Sequence, residues 1–198
     1  MSLIETVIGV MLGLVVTIGV FSFNSRHSFA MQDQLRQLDV QSAARSVVDL
    51  FAREVRRAGA NPTCAGAFEA IATAKADEIQ LRSDLDGSGA IDQPHEDVRY
   101  RWRVTDQILE RTAGQTDLLL SGQELTGSRF RYFDGAGTEL MPGAGLDAAQ
   151  RASVRRVRIE VALRERPADP DMGGSLTASA STDIDLRNRF FVASTGCP

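Results

Sequence analysis

The chain has 198 residues, of which 43% are hydrophobic and 24% are charged, and its formal net charge at pH 7 is -4. This length accommodates one membrane helix and one globular domain of ordinary size. The acidic balance argues against a dedicated nucleic-acid-binding protein, because phosphate contacts favour a basic face.

Residues 1–23 form an apolar segment with one carboxylate, Glu5, near its start. From Thr6 to Phe23 there is no charged residue, and about 18 residues rising 1.5 Å each nearly match a hydrocarbon core of about 30 Å. A carboxylate at the lipid-facing end of such a helix costs roughly 2.5 kcal/mol or more. We therefore expect a partner cation, for which an α-amino group is the nearest candidate.

A secretory signal peptide and a plain signal anchor are two other interpretations of this segment. A signal peptide carries a basic region before its apolar stretch and a small-residue cleavage site after it. Here the early charge is negative, and Phe23 is followed by Asn, Ser, Arg and His. A plain signal anchor gives no reason for Glu5.

The sequence Ser2-Leu3-Ile4-Glu5, followed by an uninterrupted apolar helix, resembles the mature N-terminus of the type IV pilin superfamily, which includes the pseudopilins of type II secretion. In that superfamily a prepilin peptidase removes a basic leader, the new N-terminus is methylated, and the glutamate pairs with a neighbouring subunit's N-terminus. The resemblance implies that Met1, where Phe is usual, is the methylated residue and that Glu5 is the assembly glutamate. Because no leader precedes Met1, we expect the numbering to start at the processed end.

The helix is predicted to continue to Ala58, because apolar residues after Phe29 recur at three- and four-residue steps. This amphipathic stripe consists of Ala44, Val47, Val48, Phe51, Val55 and Ala58. The segment from Gly59 to Pro62 ends the helix, since proline cannot continue it. Glycines at 9, 13 and 19 suggest either close helix packing in the membrane or local unwinding on filament entry.

The remaining sequence is predicted to form short strands and turns. The expected strands are 78–81, 98–104, 118–120, 129–133, 157–163 and 181–186, with a hairpin turn at 134–137, a short helix at 146–153 and a loop at 166–174. The predicted fold is α+β, with a long N-terminal helix, membrane-spanning in its first half, packed on an antiparallel β-sheet head. The predicted regions are the membrane or filament-core helix (1–28), its amphipathic continuation (29–60) and the head (61–198).

Four segments of the head are similar to PilW-type minor pilins and the related type II secretion pseudopilin J. These segments are residues 84–92, 130–137, 155–159 and 186–189. The two cysteines, Cys64 and Cys197, are predicted to pair, because a chain with this N-terminus exposes its head to an oxidising compartment. Such a bond would stabilise the head by roughly 4 kcal/mol in the loop-entropy model. Two unrelated thiols are the alternative.

One loop has the spacing of a calcium site. Its oxygen donors alternate around two glycines, and calcium takes six to eight oxygens at about 2.3 to 2.6 Å. The candidate ligands are Asp84, Asp86, Ser88, the Ala90 carbonyl, Asp92 and Glu96. Glu96 lies one residue later than the closing acid of an EF-hand loop, and strands are expected to flank the loop. A polar hairpin connection without metal is the alternative.

The strand at 98–104 alternates strictly, with Val98, Tyr100, Trp102 and Val104 inward. Its arginines, Arg99, Arg101 and Arg103, face outward as a solvated surface that we expect to pair with Asp183 and Asp185. Binding of DNA or of a neighbouring subunit is the alternative for this arginine face.

No catalytic motif is present: the sequence has no nucleophile elbow, phosphate loop, zinc-type cysteine pair or histidine cluster. This absence argues against an enzyme, and the resemblance to type IV pilins implies a structural subunit of a type IV pilus-like filament with a minor (priming or tip) role. The expected partners are other pilin subunits, the inner-membrane assembly machinery and a prepilin peptidase. The chain would wait in the inner membrane and then join a surface filament. The alternatives are a major pilin, a type II secretion pseudopilin, and a tip-displayed adhesion or DNA-binding module.

Overall fold

The computed structural model describes residues 2–64, 66–120, 124–165 and 175–188. Helix α1 spans Leu3–Arg57, and the short helix α2 spans Ala148–Ser153. The strands are β1 (Ile71–Ala74), β2 (Glu78–Arg82), β3 (Asp97–Arg103), β4 (Ile108–Ala113), β5 (Gln115–Leu120), β6 (Glu124–Leu125), β7 (Arg129–Phe133), β8 (Glu139–Leu140), β9 (Arg156–Glu165) and β10 (Leu176–Asp185).

Helix α1 ends one residue before the predicted position. Gly59 has a φ of +78°, the left-handed conformation that terminates many helices and that glycine adopts without strain. The Asn188 amide donates to the carbonyl oxygens of Arg56 and Arg57, both at 3.1 Å. Two of the carbonyls that a helix C-terminus leaves unpaired are therefore satisfied from the far end of the described chain.

The head contains two antiparallel sheets, which refines the predicted single sheet. The first sheet follows chain order, β1-β2-β3-β4-β5, and the second has the order β10-β9-β7-β8 with β6 pairing with β9. The α+β prediction of one long helix packed on antiparallel strands is confirmed.

Phe51 of α1 lies where the helix meets both sheets. Its ring centroid lies 5.1 Å from that of Tyr100 in the first sheet and 5.3 Å from that of Phe130 in the second. Every residue of the predicted amphipathic stripe is buried: Ala44, Val47, Val48, Phe51, Val55 and Ala58. The 3.6-residue period of the sequence therefore located the helix face that forms the core.

Several predicted elements differ from the observed ones at their ends. Strand β10 begins five residues earlier than expected, and β3 ends at Arg103, so that Val104 is exposed instead of buried. The predicted turn at 134–137 joins β7 to β8, as Gly137 N–H donates to Asp134 O at 3.1 Å. Strands β1, β4, β6 and β8 were not predicted, and the expected loop at 166–174 lies outside the described residues.

A part-buried carboxylate ties α1 to the first sheet. Glu54 accepts hydrogen bonds from Arg111 Nε at 3.0 Å and Arg111 Nη2 at 2.6 Å, and also from the Tyr100 hydroxyl. Burial is the main cause that raises the pKa of Tyr100, and the negative charge of Glu54 raises it further. The hydroxyl therefore stays protonated and acts as a donor. The Glu54 and Arg111 side chains are 11% and 18% exposed, so their attraction is only weakly screened.

Replacing Arg111 is expected to destabilise the head, because it leaves the part-buried Glu54 carboxylate without its cation. Arg111→Ala should lower the free energy of unfolding by about 3 kcal/mol. Urea unfolding of the full chain in detergent micelles measures this loss. The matched control, Arg101→Ala on the exposed face of β3, should change it by less than about 0.5 kcal/mol. Equal effects of the two variants would contradict this role of Glu54.

Candidate functional site

The first half of α1 is an apolar surface that the described chain leaves uncovered. The 19 residues Thr6–Asn24 have a mean hydropathy of 2.3, and 0% of this window is buried. The side chains of Val15 and Phe21 are 68% and 72% exposed. A helix this long and apolar can cross a membrane, and a surface of this kind is covered in use by lipid or by other helices.

The three glycines of this segment are not required by the packing of the described chain. Within the described ranges, apart from the adjoining backbone of α1 itself, no heavy atom lies within 4 Å of the position that a Cβ would take at Gly9, Gly13 or Gly19. The helix continues through Gly13, whose carbonyl accepts from Thr17 Oγ1 at 2.7 Å. Small residues let a second helix approach closely, and glycine also lowers the stability of a helix. Close helix packing and local unwinding in a filament both stay predictions.

Glu5 lies in the first turns of α1, at the outer end of the apolar segment. Met1 lies outside the described residues. The structure therefore places the backbone of Glu5 where the sequence predicted it, and the pairing of its carboxylate with a neighbouring N-terminus stays a prediction.

The loop between β2 and β3 brings together three of the predicted calcium ligands. Carboxylate oxygens of Asp84, Asp86 and Glu96 all lie within 4.8 Å of one another. Asp84 and Glu96 are buried, whereas Asp86 is exposed. Asp92 is not part of this group through its carboxylate but donates its backbone N–H to Glu96, at 3.2 Å. Two other predicted ligands, Ser88 and Ala90, lie on the exposed side of the loop.

The carboxylate of Glu96 organises this loop by accepting hydrogen bonds from backbone N–H groups of the loop. Its Oε1 accepts from the N–H of Leu85 at 2.7 Å and of Asp86 at 3.3 Å. Its Oε2 accepts from the N–H of Gln93 at 3.0 Å, besides the bond from Asp92. These backbone donors lower the pKa of Glu96 and keep its carboxylate ionised, and the N–H groups of Leu85 and Gln93 have the largest effect. Four N–H groups thus occupy the four lone-pair directions of one carboxylate.

The loop geometry fits backbone donors better than calcium. Asp84 accepts from Gly87 N–H at 2.7 Å and from Gly89 N–H at 2.9 Å. These two bonds leave Asp84 with free lone pairs, but the four N–H donors of Glu96 use all of its lone pairs, which a calcium ion would need. The described conformation therefore favours the metal-free polar connection, and calcium binding stays a prediction.

The same loop packs on the segment that follows α1. Thr63 Oγ1 donates to Gly87 O at 2.9 Å, and a Cβ at Gly66 would lie 1.8 Å from Gly89 O. This segment carries Cys64, whose φ is +56°. Cys197 lies outside the described residues, so the predicted disulfide stays a prediction.

Two of the three arginines of β3, Arg99 and Arg103, pair within their own sheet. Arg99 Nε lies 3.4 Å from Glu78, and Arg103 Nη2 lies 2.8 Å from Glu110. The expected pairing with Asp183 and Asp185 is wrong, because β10 belongs to the other sheet. Those two acids bind arginines of β9 instead, namely Arg158 at 2.7 Å and Arg156 at 3.0 Å.

A small cavity lies beside the part-buried Glu54 and Arg111. Its volume is about 60 Å³, and Ser83 and His95 also line it. A space of this size holds a few waters and is well below the several hundred cubic ångströms typical of small-molecule sites. The cavity therefore gives no support to an enzymatic function.

Replacing Glu96 is expected to loosen the loop whether or not calcium is added. In Glu96→Gln, an amide NH₂ faces two backbone N–H groups, so we expect Tm to fall by about 5 °C or more. The Tm of the wild-type chain should be the same in millimolar calcium and in chelator. Asp92→Asn serves as the control, because only the backbone of Asp92 contacts Glu96. A calcium-dependent rise in the wild-type Tm would support the metal site instead.

The cysteine pairing predicts that neither thiol reacts with an alkylating agent in denaturant until reductant is added, as mass spectrometry would show. Cys64→Ser should lower the free energy of unfolding by about 3 kcal/mol, since the cross-link constrains the unfolded chain. The double variant with Cys197→Ser should lose no more than the single one. Alkylation of either thiol without reductant would disprove the bond.

Comparison with known proteins identifies a matching family and a similar solved structure. The family model described as PpdB, prepilin peptidase-dependent protein B, matches residues 33–179. Among solved structures, the type IV-like pilin TTHA1219 from Thermus thermophilus is similar with a TM-score of 0.52 and 12% identity, over 75% of this chain and 95% of that chain. No curated protein matches. An exposed apolar helix, a pilin-like head and the family match agree, and the chain belongs to the prepilin peptidase-dependent protein B family of the type IV pilin superfamily.

Proposed function

We propose that this protein is a structural subunit of a type IV pilus-like filament, assembled through its N-terminal helix and serving as a minor subunit that primes or tips the fibre. The observation that carries the proposal is the split of α1. Its window Thr6–Asn24 is 0% buried, while its later half supplies the core of the head through residues such as Phe51 and Val55. A filament subunit needs both halves of α1, because the first half packs among other helices and the later half carries the head.

The physical cost of the N-terminal carboxylate supports assembly through Glu5. A charged side chain near the lipid-facing end of a helix costs roughly 2.5 kcal/mol or more, and an adjacent amino group offsets that cost. In a filament, the N-terminus of a neighbouring subunit supplies such a group. This pairing sets the stagger of one helix against the next, while the apolar faces supply cohesion.

The family description supports processing by a prepilin peptidase before assembly. The subunit would then wait in the inner membrane through its apolar segment and leave it when the assembly machinery extends the filament. The minor role rests on the similarity of the head to PilW-type minor pilins and pseudopilin J. A DNA-binding role has less support, because Arg99 and Arg103 are ion-paired and the net charge is -4.

Replacing Glu5 tests the proposal directly. Glu5→Ala should insert into the membrane normally, while its recovery in sheared filaments should fall by about tenfold or more, as expected for losing a charge pair of this size. Quantitative immunoblotting of membrane and filament fractions measures both. The matched control, Glu5→Asp, keeps the charge and should recover part of the incorporation.

The same fractions separate the alternatives. A minor subunit is expected at far lower copy number than the main fibre protein, whereas equal abundance would identify a major pilin. Absence from filaments together with blocked protein export would indicate a secretion pseudopilin. Normal incorporation of Glu5→Ala would contradict assembly through this carboxylate.

A further inference from the structure

Strand β10 leaves one edge of the second sheet open. It pairs with β9 in antiparallel register, and Leu186 N–H continues that ladder by donating to Arg155 O at 2.9 Å. Backbone groups of successive residues in a strand point to opposite sides. Even-numbered residues of β10 therefore bond to β9. The N–H and C=O groups of the odd-numbered residues point away from the sheet: Thr177, Ser179, Ser181, Asp183 and Asp185.

Most of this outer row of backbone groups is unpaired in the part of the chain that the structure describes. Gln37 of α1 donates from Nε2 to Thr177 O at 3.1 Å and so covers one end of the edge. Beyond it, no backbone hydrogen bond within the described ranges reaches the outer groups of Ser179, Ser181 or Asp183. Three consecutive outward residues thus present donors and acceptors in the pattern of a strand template.

The other sheet edges in the described residues carry features that discourage pairing. Strand β1 has a bulge, and its edge is covered where Leu146 N–H donates to Ala74 O at 2.8 Å. Strand β5 has a register shift against β4, and β8 has only two residues. Strand β10 pairs over ten residues with no register shift. Bulges, covers and short length are the usual protections of an edge. Strand β10 has neither a bulge nor a short length, and within the described residues Gln37 covers its outer backbone groups only at Thr177.

An open groove runs between this edge and α1. Its volume is about 440 Å³. It is lined by Arg45, Val48 and Asp49 of the helix and by residues 179–182 of the strand. The occupant that such a groove fits is an extended polypeptide, because backbone groups line one wall and small side chains leave room beside it.

The face of α1 next to this groove indicates where the occupant comes from. Met31, Leu35 and Leu38 are 58%, 53% and 60% exposed, although they lie beyond the apolar span. At about 100° per residue they form a stripe roughly 150° from the head-facing side, adjacent to the side that carries Arg45 and Asp49. A second helix packed along this stripe continues the apolar contact of residues 6–24 and brings its own head beside β10.

We propose that the open edge of β10 receives an extended segment from the head of a neighbouring pilin subunit, by backbone pairing with Ser179, Ser181 and Asp183. The inference rests on the proposed filament function and adds a contact between heads to the contact between helices. The paired backbone supplies the binding, and the small serine side chains admit a partner strand of varied sequence.

Photo-crosslinking in the full chain tests the contact. Ser179→p-benzoylphenylalanine places a crosslinker at the edge, and irradiation of sheared filaments should join the chain to the head of another pilin subunit, identified by mass spectrometry. Adding Ser181→Pro should reduce this adduct about tenfold, because proline removes an outward N–H and its ring blocks the approaching strand. The bonds to β9 are untouched, so Tm should stay near that of the parent chain.

Two control variants make the result specific. Ser181→Thr keeps the N–H and should leave the adduct unchanged. Ala180→Pro removes a bond to β9 and should lower Tm, which shows that the edge has been correctly assigned.

The outcomes separate this inference from the proposed function. A chain present in filaments but forming no adduct with a pilin, an adduct only with another class of protein, or an adduct insensitive to Ser181→Pro would each overturn the edge contact alone. Absence of the parent chain from filaments would overturn both. The adduct is measured first in the crosslinking variant that lacks Ser181→Pro. The presence or absence of that adduct tests the inference even if the proline variant does not fold.

Discussion

The burial of one face of α1 against the head is the constraint on which the rest of the structure depends. Only the later half of the helix is covered, with Phe51 in contact with aromatic rings of both sheets. The earlier half has no such cover among the described residues, and its apolar side chains require a different solvent. One continuous helix therefore joins two environments, and the head must hold its half firmly enough to keep the other half projecting.

The sequence determined those features that follow from local periodicity. Apolar residues at helical spacing located the buried face of α1, and strict alternation in β3 placed Tyr100 and Trp102 in the core. The ends of elements were less predictable. Strand β4, Ile-Leu-Glu-Arg-Thr-Ala, has no clear alternation, and β1 is short and rich in alanine. Both are strands because neighbouring strands bond to them, which a single sequence does not reveal.

The contacts that organise the head were beyond sequence reasoning for a related reason. Glu54 and Arg111 are 57 residues apart in sequence and meet only when helix and sheet pack. Glu96 was recognised as an acidic residue at a metal-like spacing, but its partners are backbone N–H groups, which every residue except proline offers and which no residue pattern identifies. Likewise, Asp183 could be assigned to an arginine only after the strand order was known.

The parallel course of α1 and β10 has a mechanical consequence. Gln37 of α1 contacts Thr177 near the start of β10. Arg57, at the end of α1, contacts Asn188, which follows shortly after the end of β10. Helix and strand thus run side by side in the same direction, and the contacts are distributed along their length. A pull on the projecting end of α1 loads these contacts in shear, many at once, instead of peeling them apart in sequence. The head is therefore attached in the geometry that best resists tension along its anchoring helix.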